Sequence, residues 1–362
     1  MAVMMPVPRS FHTLIALRAK QGEFAALNQL NTADDVRQVQ PLLEFEANGM
    51  TPAKQLIEVE AVVRHLHRLG RHAMLDASDT VGKTGFGNGT AGAVGELVDR
   101  LSRQADLFDN DATVPFIPVI RSDATQSAAS TTSRLCQELG AGGALRIRTI
   151  GATADQYEQL FRWLHVEPAD LDLIVDLRYV DQAGARLTED IAATLDTLSL
   201  FGPFRSRSLL CGSVPSSLKE TAIWEAPRVE EQLWASVAQG GYADLHLGDY
   251  GVVHPLTGPG FRSKHVSVKY TCPYHWLYIR QRMAEPEDAV EKYEENVRAH
   301  TFRIVFREVV ESDSFFGPDF SWGDREILDA AEGRGHGLGS TTKPVAFATS
   351  HHLSYLAKRT AA

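Results

Sequence analysis

Short apolar runs alternate with amphipathic stretches from the first residues to about position 250. The runs are HTLIAL (from His12), QPLLEFE (from Gln40), HAMLDAS (from His72) and VPFIPVIR (from Val114), then ALRIRTI (from Ala144), LDLIVDLR (from Leu171), RSLLCGS (from Arg207) and ADLHLGDY (from Ala243). Each has the length and side-chain character of a buried strand. Between them lie PAKQLIEVEAVVRHLHRLG, AGAVGELVDRLSRQADLF, STTSRLCQELG, ADQYEQLFRWLH and PRVEEQLWASVAQ, which carry helical spacing and in several cases end at glycine. Eight strand-helix units in succession predict a parallel sheet closed into a (β/α)8 TIM-like barrel over residues 1–250. The alternative, an open doubly wound sheet, is disfavoured because no Gly-x-Gly-x-x-Gly follows the first strand.

From Gly251 the pattern changes. HVSVKY and WLYIR alternate as strands do, while EPEDAVEKYEENVRAHTFRIVF, WGDREILDAAEG and HHLSYLAKR read as helices. Residues 251–362 are therefore expected to form a C-terminal α/β extension packed on the barrel. Asp324 is placed at a helix start, and His351 and His352 are expected to cap the last helix, with a reach into the site as the alternative. His65 and His67, two apart on a predicted helix, point to different faces and do not suggest a metal pair.

Alternation along a strand assigns its faces: one meets the helix shell and must be apolar, the other enters the lumen. In ALRIRTI, Leu145 and Ile147 take the outer face, which turns Arg146 and Arg148 inward. The same reasoning turns Ile174, Asp176 and Arg178 inward from LDLIVDLR, and Ile117, Val119, Arg121 and Asp123 from PFIPVIRSD. Glu44, Glu46, Asp76, Arg18, Lys20, His246 and Tyr250 follow from the other strands. Most of these charges fall near the C-terminal strand ends, the end where barrel enzymes carry their sites. Buried charge is costly unless paired or put to use. Two readings follow: a pocket, with Arg121, Arg146, Arg148 and Arg178 holding an anion and Glu44, Asp76 and Asp176 free for acid-base or metal chemistry, or a structural salt-bridge lattice that fills the barrel mouth. Ser213, with Ser216 and Ser217, ends the seventh strand either as an anion-binding group or as an ordinary turn, and Asp249 and Tyr250 at the end of the eighth could reach the same ligand.

One stretch of the third strand end, ASDTVGKT (Ala77 to Thr84), resembles a phosphate-binding loop. The glycines that follow (Gly85, Gly87, Gly89) oppose the helix such a loop requires, so a βα loop, idle or acting as a lid, is the better reading. Composition narrows the field further. The formal charge is −10 and no long basic run occurs, which excludes a bulk nucleic-acid surface. Cys136, Cys211 and Cys272 are odd in number and widely spaced, fitting a reducing compartment rather than a disulfide framework. Neither a signal peptide nor an 18-residue apolar span is evident, so a cytoplasmic protein without a membrane partner is expected.

The segments KQGE (from Lys20), PLLEF, FIPVIR, LRIR, LIVDL, GDYGVVHP, FSWGD and TSHHL together resemble the "beta protein" family of bacterial and phage genomes. That resemblance spans nearly the whole chain. It implies a role in phage–host conflict and supplies no catalytic residue. The leading expectation is a barrel that binds or hydrolyses a small anionic, phosphorylated or nucleotide-like ligand, and it leaves room for a divalent metal. The alternatives are a non-catalytic interaction or defence subunit with a protein partner or phage component, and a pyridoxal-phosphate barrel using Lys20.

Overall fold

The computed structural model describes residues 11–47, 50–87, 89–103, 114–218, 221–256, 258, 263–283, 297–335 and 338–359. Eight parallel strands close a barrel. They are β1 (Thr13–Arg18), β2 (Val39–Glu44), β3 (Met74–Asp76), β4 (Ile117–Arg121), β5 (Gly143–Ile147), β6 (Leu171–Tyr179), β7 (Ser206–Gly212) and, after the excluded β8 (Ile223–Pro227), β9 (Leu245–Asp249). β9 pairs with both β7 and β1 and so completes the ring. The outer shell comprises α1 (Gln21–Leu27), α2 (Ala33–Arg37), α3 (Pro52–Arg68), α4 (Ala93–Arg103), α5 (Gln126–Leu139), α6 (Ala154–Phe161), α7 (Ala185–Ser199) and α8 (Val229–Gln239).

Strand parity sorts the core as the alternation requires. Leu14, Ala16, Leu42, Met74, Ile117, Val119, Ala144, Ile174 and Leu210 fill the lumen, while Leu145, Ile147, Leu173 and Val175 pack against the helices. Register matters as much as face. Arg18 lies beside Glu44 and Glu44 beside Asp76, and Arg121 lies beside Arg146, so acids from β2 and β3 arrive between arginines from β1 and from β4 and β5.

The remaining chain builds a three-stranded antiparallel sheet from β10 (His265–Thr271), β11 (His275–Arg282) and β8. Its third strand comes from the connection between β7 and α8, inside the first 250 residues. One face of this sheet, with Val266, Val268, Tyr270, Leu277 and Ile279, packs on α9 (Val297–Glu311), α10 (Trp322–Ala331) and α11 (Thr342–Lys358). Trp276 and Tyr278 project from the opposite face and meet Val214, Leu218 and Val252 from the barrel loops. The helix α11 also packs along α1. The first part of the helix predicted from EPEDAVEKYEEN and the end of AGAVGELVDRLSRQADLF lie outside the described residues. No helix among the described residues is long and apolar enough to cross a membrane.

Candidate functional site

The charges at the C-terminal strand ends form two tiers. The lower tier centres on Arg146, which is 0% exposed. Its Nε donates to Asp176 at 2.9 Å, Nη1 to Asp76 at 2.6 Å and Nη2 to the Tyr250 hydroxyl at 2.7 Å, and Nη1 also lies 2.7 Å from Glu44 Oε1. Tyr250 in turn donates to Asp176 at 2.7 Å, and Arg121 Nε donates to Asp76 at 2.7 Å. Asp76 and Asp176 are fully buried. Burial alone would raise the Asp76 pKa, but Arg121, Arg146 and Arg148 overcome it and hold the carboxyl below the usual carboxylate range. Asp76 therefore stays ionised and offers no proton near neutrality. Burial pushes the Tyr250 phenol well above its ordinary value, with Asp176 and Glu44 acting against the pull of Arg146, so it remains a hydroxyl. Every donor of Arg146 is occupied. This tier is a closed floor.

The upper tier is the rim. Arg148 is partly exposed and reaches Glu44 and Asp176 at 3.3 Å each, longer than the floor contacts. Arg18 pairs with Glu46 at 3.1 Å and donates to the carbonyls of His254 (2.5 Å) and Leu256 (2.8 Å). Lys20, 40% exposed, caps Glu46 at 2.7 Å, which leaves its amine engaged and not positioned as a buried Schiff-base lysine.

Four sequence expectations need correction. Arg178 does not enter the lumen: β6 shifts register between Asp176 and Arg178, and Arg178 adopts φ 60°. Its backbone N–H donates to Asp176 Oδ1 at 2.8 Å while the side chain stands exposed at the mouth. Asp123 lies in the turn beyond β4 and is exposed; the acid that meets Arg121 there is Asp79, at 2.6 Å. Ser213 is not open to an anion, since its hydroxyl donates to Glu230 and accepts from Trp276 Nε1. His351 and His352 do not cap α11. His351 Nδ1 lies 2.9 Å from Asp324 Oδ2, and His352 Nε2 lies 2.9 Å from Asp249 Oδ2.

That last contact belongs to a second buried network. Arg228, 0% exposed, reaches Glu230, Glu231 and Asp249 at 3.1 Å each and stacks over Trp276 and Tyr355. His352 Nδ1 is 2.7 Å from Thr271 Oγ1. Asp249 thus ties the end of β9 to α8, α11 and β10. Burial would raise its pKa, but His352, Arg228 and the Gly251 N–H hold it down. The network anchors the C-terminal sheet over the β7, β9 and β1 side of the mouth, a role that local spacing did not reveal.

The Gly-rich loop after β3 is anchored elsewhere. Phe86 is buried, its ring 6.2 Å from that of Phe45 in the outer core. Thr80 Oγ1 accepts from the N–H of Ala93, the first residue of α4. Lys83 is exposed and is followed by turns, not a helix. The C-terminal sheet packs on the barrel loops through Trp276 and Tyr278. A carboxylate the pattern overlooked is Glu23, buried in the first turn of α1 beside Lys20, Arg18 and Glu46. Burial pushes its pKa up to about 7 against the pull of the two cations. No group of three His, Cys, Asp or Glu side chains among the described residues is placed to hold a metal ion.

The closed parallel ring, its apolar lower layers and the ion-pair lattice at the strand ends define a (β/α)8 barrel protein. The chain belongs to the Beta protein family, whose model matches residues 16–358, nearly its full length. No curated protein matches it. Among solved structures it is similar to the catalytic domain of the Bacillus sp. JAMB-750 GH26 endo-beta-1,4-mannanase, with 12% identity, a TM-score of 0.39, and coverage of 69% of this chain and 80% of that one. A likeness of that size carries no argument about the site.

Proposed function

We propose that the barrel binds a small anionic ligand, phosphorylated or nucleotide-like, at its C-terminal mouth. The observation that carries this reading is the pair of arginines flanking Asp176. Arg178 is exposed, in a left-handed conformation unusual for a non-glycine residue, and its side chain has no partner among the described residues. Arg148 is partly exposed and holds its carboxylates only at 3.3 Å. Strain kept at a strand end, next to two under-used guanidinium groups, suits a site where both converge on an incoming anion. Arg146 and Arg121 belong to the floor that orients them. If the ligand is a phosphoester, hydrolysis has Glu44 as its base, since Glu44 reaches the rim while Asp76 and Asp176 are sealed beneath it.

A second reading has its own support. The floor is complete without any ligand, which suits a non-catalytic interaction or defence subunit, with phage–host conflict as the role the family resemblance implies. Native mass spectrometry of the purified chain, followed by denaturation and identification of released small molecules, separates the two. The ligand reading expects an anionic adduct that Arg148→Met and Arg178→Ala each abolish. A bare wild-type chain, with no stabilisation by phosphate or nucleotides, refutes it.

A further inference from the structure

A cavity of about 700 Å³ lies beside the barrel mouth, between β10, the N-terminal turns of α9 and α11, and Val252. Lys269, Arg298 and His265 line it with the hydroxyls of Ser263, Ser267 and Thr341, while Phe302, Val268, Val345 and Ala348 supply an apolar wall. Among the described residues no carboxylate lines it, in a chain whose formal charge is −10. A volume of this size, with an apolar wall facing convergent polar groups, is that of a small-molecule site.

Lys269 is the unusual member. It sits on the barrel-facing side of β10, paired across the ladder with Tyr278, and is half-buried. Among the described residues it has neither a hydrogen-bond acceptor nor an ion-pair partner, so its amine is free to meet a molecule bound in the cavity. Arg298 is held in place at the same cavity by its bond to the Ser263 carbonyl at 3.3 Å. We propose that this cavity binds a small anionic carbonyl compound, with Arg298 on the carboxylate or phosphate and Lys269 Nζ joined to the carbonyl carbon as an imine. The neutral amine adds to the carbonyl, and the carbinolamine loses water. The new C=N bond replaces C=O, the carbonyl oxygen leaves as water with the two amine hydrogens, and no oxidant or reductant is needed. Burial, reinforced by Arg18, brings the Lys269 pKa down to about 8, so a useful share of the amine is neutral at pH 7. The residues are distinct from Arg148 and Arg178, so this site stands or falls apart from the mouth.

Pyridoxal 5′-phosphate is a suitable probe, being an anionic aldehyde. The full-length protein is treated with it at pH 7, reduced with borohydride, digested and mapped. Lys269 is expected to be labelled about tenfold or more faster than the exposed Lys54 and Lys83. Inorganic phosphate should slow that labelling, pyridoxal without its phosphate should react more slowly, and Lys269→Met should lose the adduct while keeping the wild-type melting profile. Labelling spread evenly over surface lysines, or directed to Lys20, overturns the proposal. Labelling of Lys269 that ignores both added phosphate and loss of the probe's own phosphate overturns the anion-binding half. Both outcomes are read on the wild-type protein, so the result does not depend on the variant folding.

Discussion

Replacing Arg146 by Met tests the floor directly. The side chain is 0% exposed and satisfies Asp76, Asp176, Glu44 and the Tyr250 hydroxyl together. Met replaces the aliphatic stem but not the guanidinium, so the change opens a small void at the strand ends and acts mainly by stranding carboxylates. Asp76 retains Arg121, and Asp176 retains Tyr250 and the longer bond to Arg148. Breaking a buried pair costs about 3–5 kcal/mol, and this site belongs in that range because three carboxylates share the loss. An unfolding entropy of ~2.1 cal/mol/K per residue over this chain amounts to roughly 0.76 kcal/mol/K, so the melting temperature should fall by about 4–7 °C. Thermal melts at neutral pH read it, and added salt should change the difference little because the charges are shielded from solvent. Adding Asp176→Asn to Arg146→Met should recover part of the loss by removing one stranded charge. Arg148→Met, at the rim, should cost under about 1 kcal/mol. A melting temperature for Arg146→Met that is unchanged or higher refutes the floor: it would show the arginine held at a cost to stability, as a ligand residue is.

Three further outcomes are expected. The Glu23 pKa, about 7 folded, exceeds the unfolded value, so stability due to its protonated form is full below ~4.3 and lost as pH rises through 7; Glu23→Gln should therefore stabilise by up to about 3 kcal/mol at pH 8 and little at pH 4, and parallel pH profiles for the two proteins would count against the buried site. Lys83→Ala should change any nucleoside triphosphate affinity by less than about twofold, and a tenfold loss by titration calorimetry would restore the phosphate-loop reading. In Gly323→Ala the added Cβ would collide with the Phe347 carbonyl oxygen where α10 crosses α11, so the C-terminal layer should lose about 3 kcal/mol or more by denaturant melts; a wild-type midpoint would show that the helices can part.

The barrel and its floor were legible because a closed sheet gives its two faces opposite environments. Leu145 and Ile147 need the helix shell, so Arg146 between them has only the lumen, and the same parity delivers Asp76, Arg121, Asp176 and Tyr250 to it. Parity holds only while the strand stays regular. In LDLIVDLR nothing marks the register shift after Asp176, and that shift sends Arg178 out to solvent. It also fails where the strand has already ended, as at Asp123. The sheet that packs on the barrel loops was illegible for a different reason. β8 pairs with β11, Trp224 against Tyr278, across about fifty residues of intervening chain, and local periodicity carries no information on such a pairing. His352 repeats the lesson. Its place near the end of the last helix suggests a cap, yet it closes on Asp249 at the end of the last barrel strand, a contact that exists only once α11 has docked along α1. Sequence logic therefore reached the charges that one strand and its neighbours create, and missed those joined by the return of the C-terminal chain. The consequence bears on function. Lys269 and Arg298 belong to that returning segment, so a motif search confined to the barrel strands passes over the cavity they line.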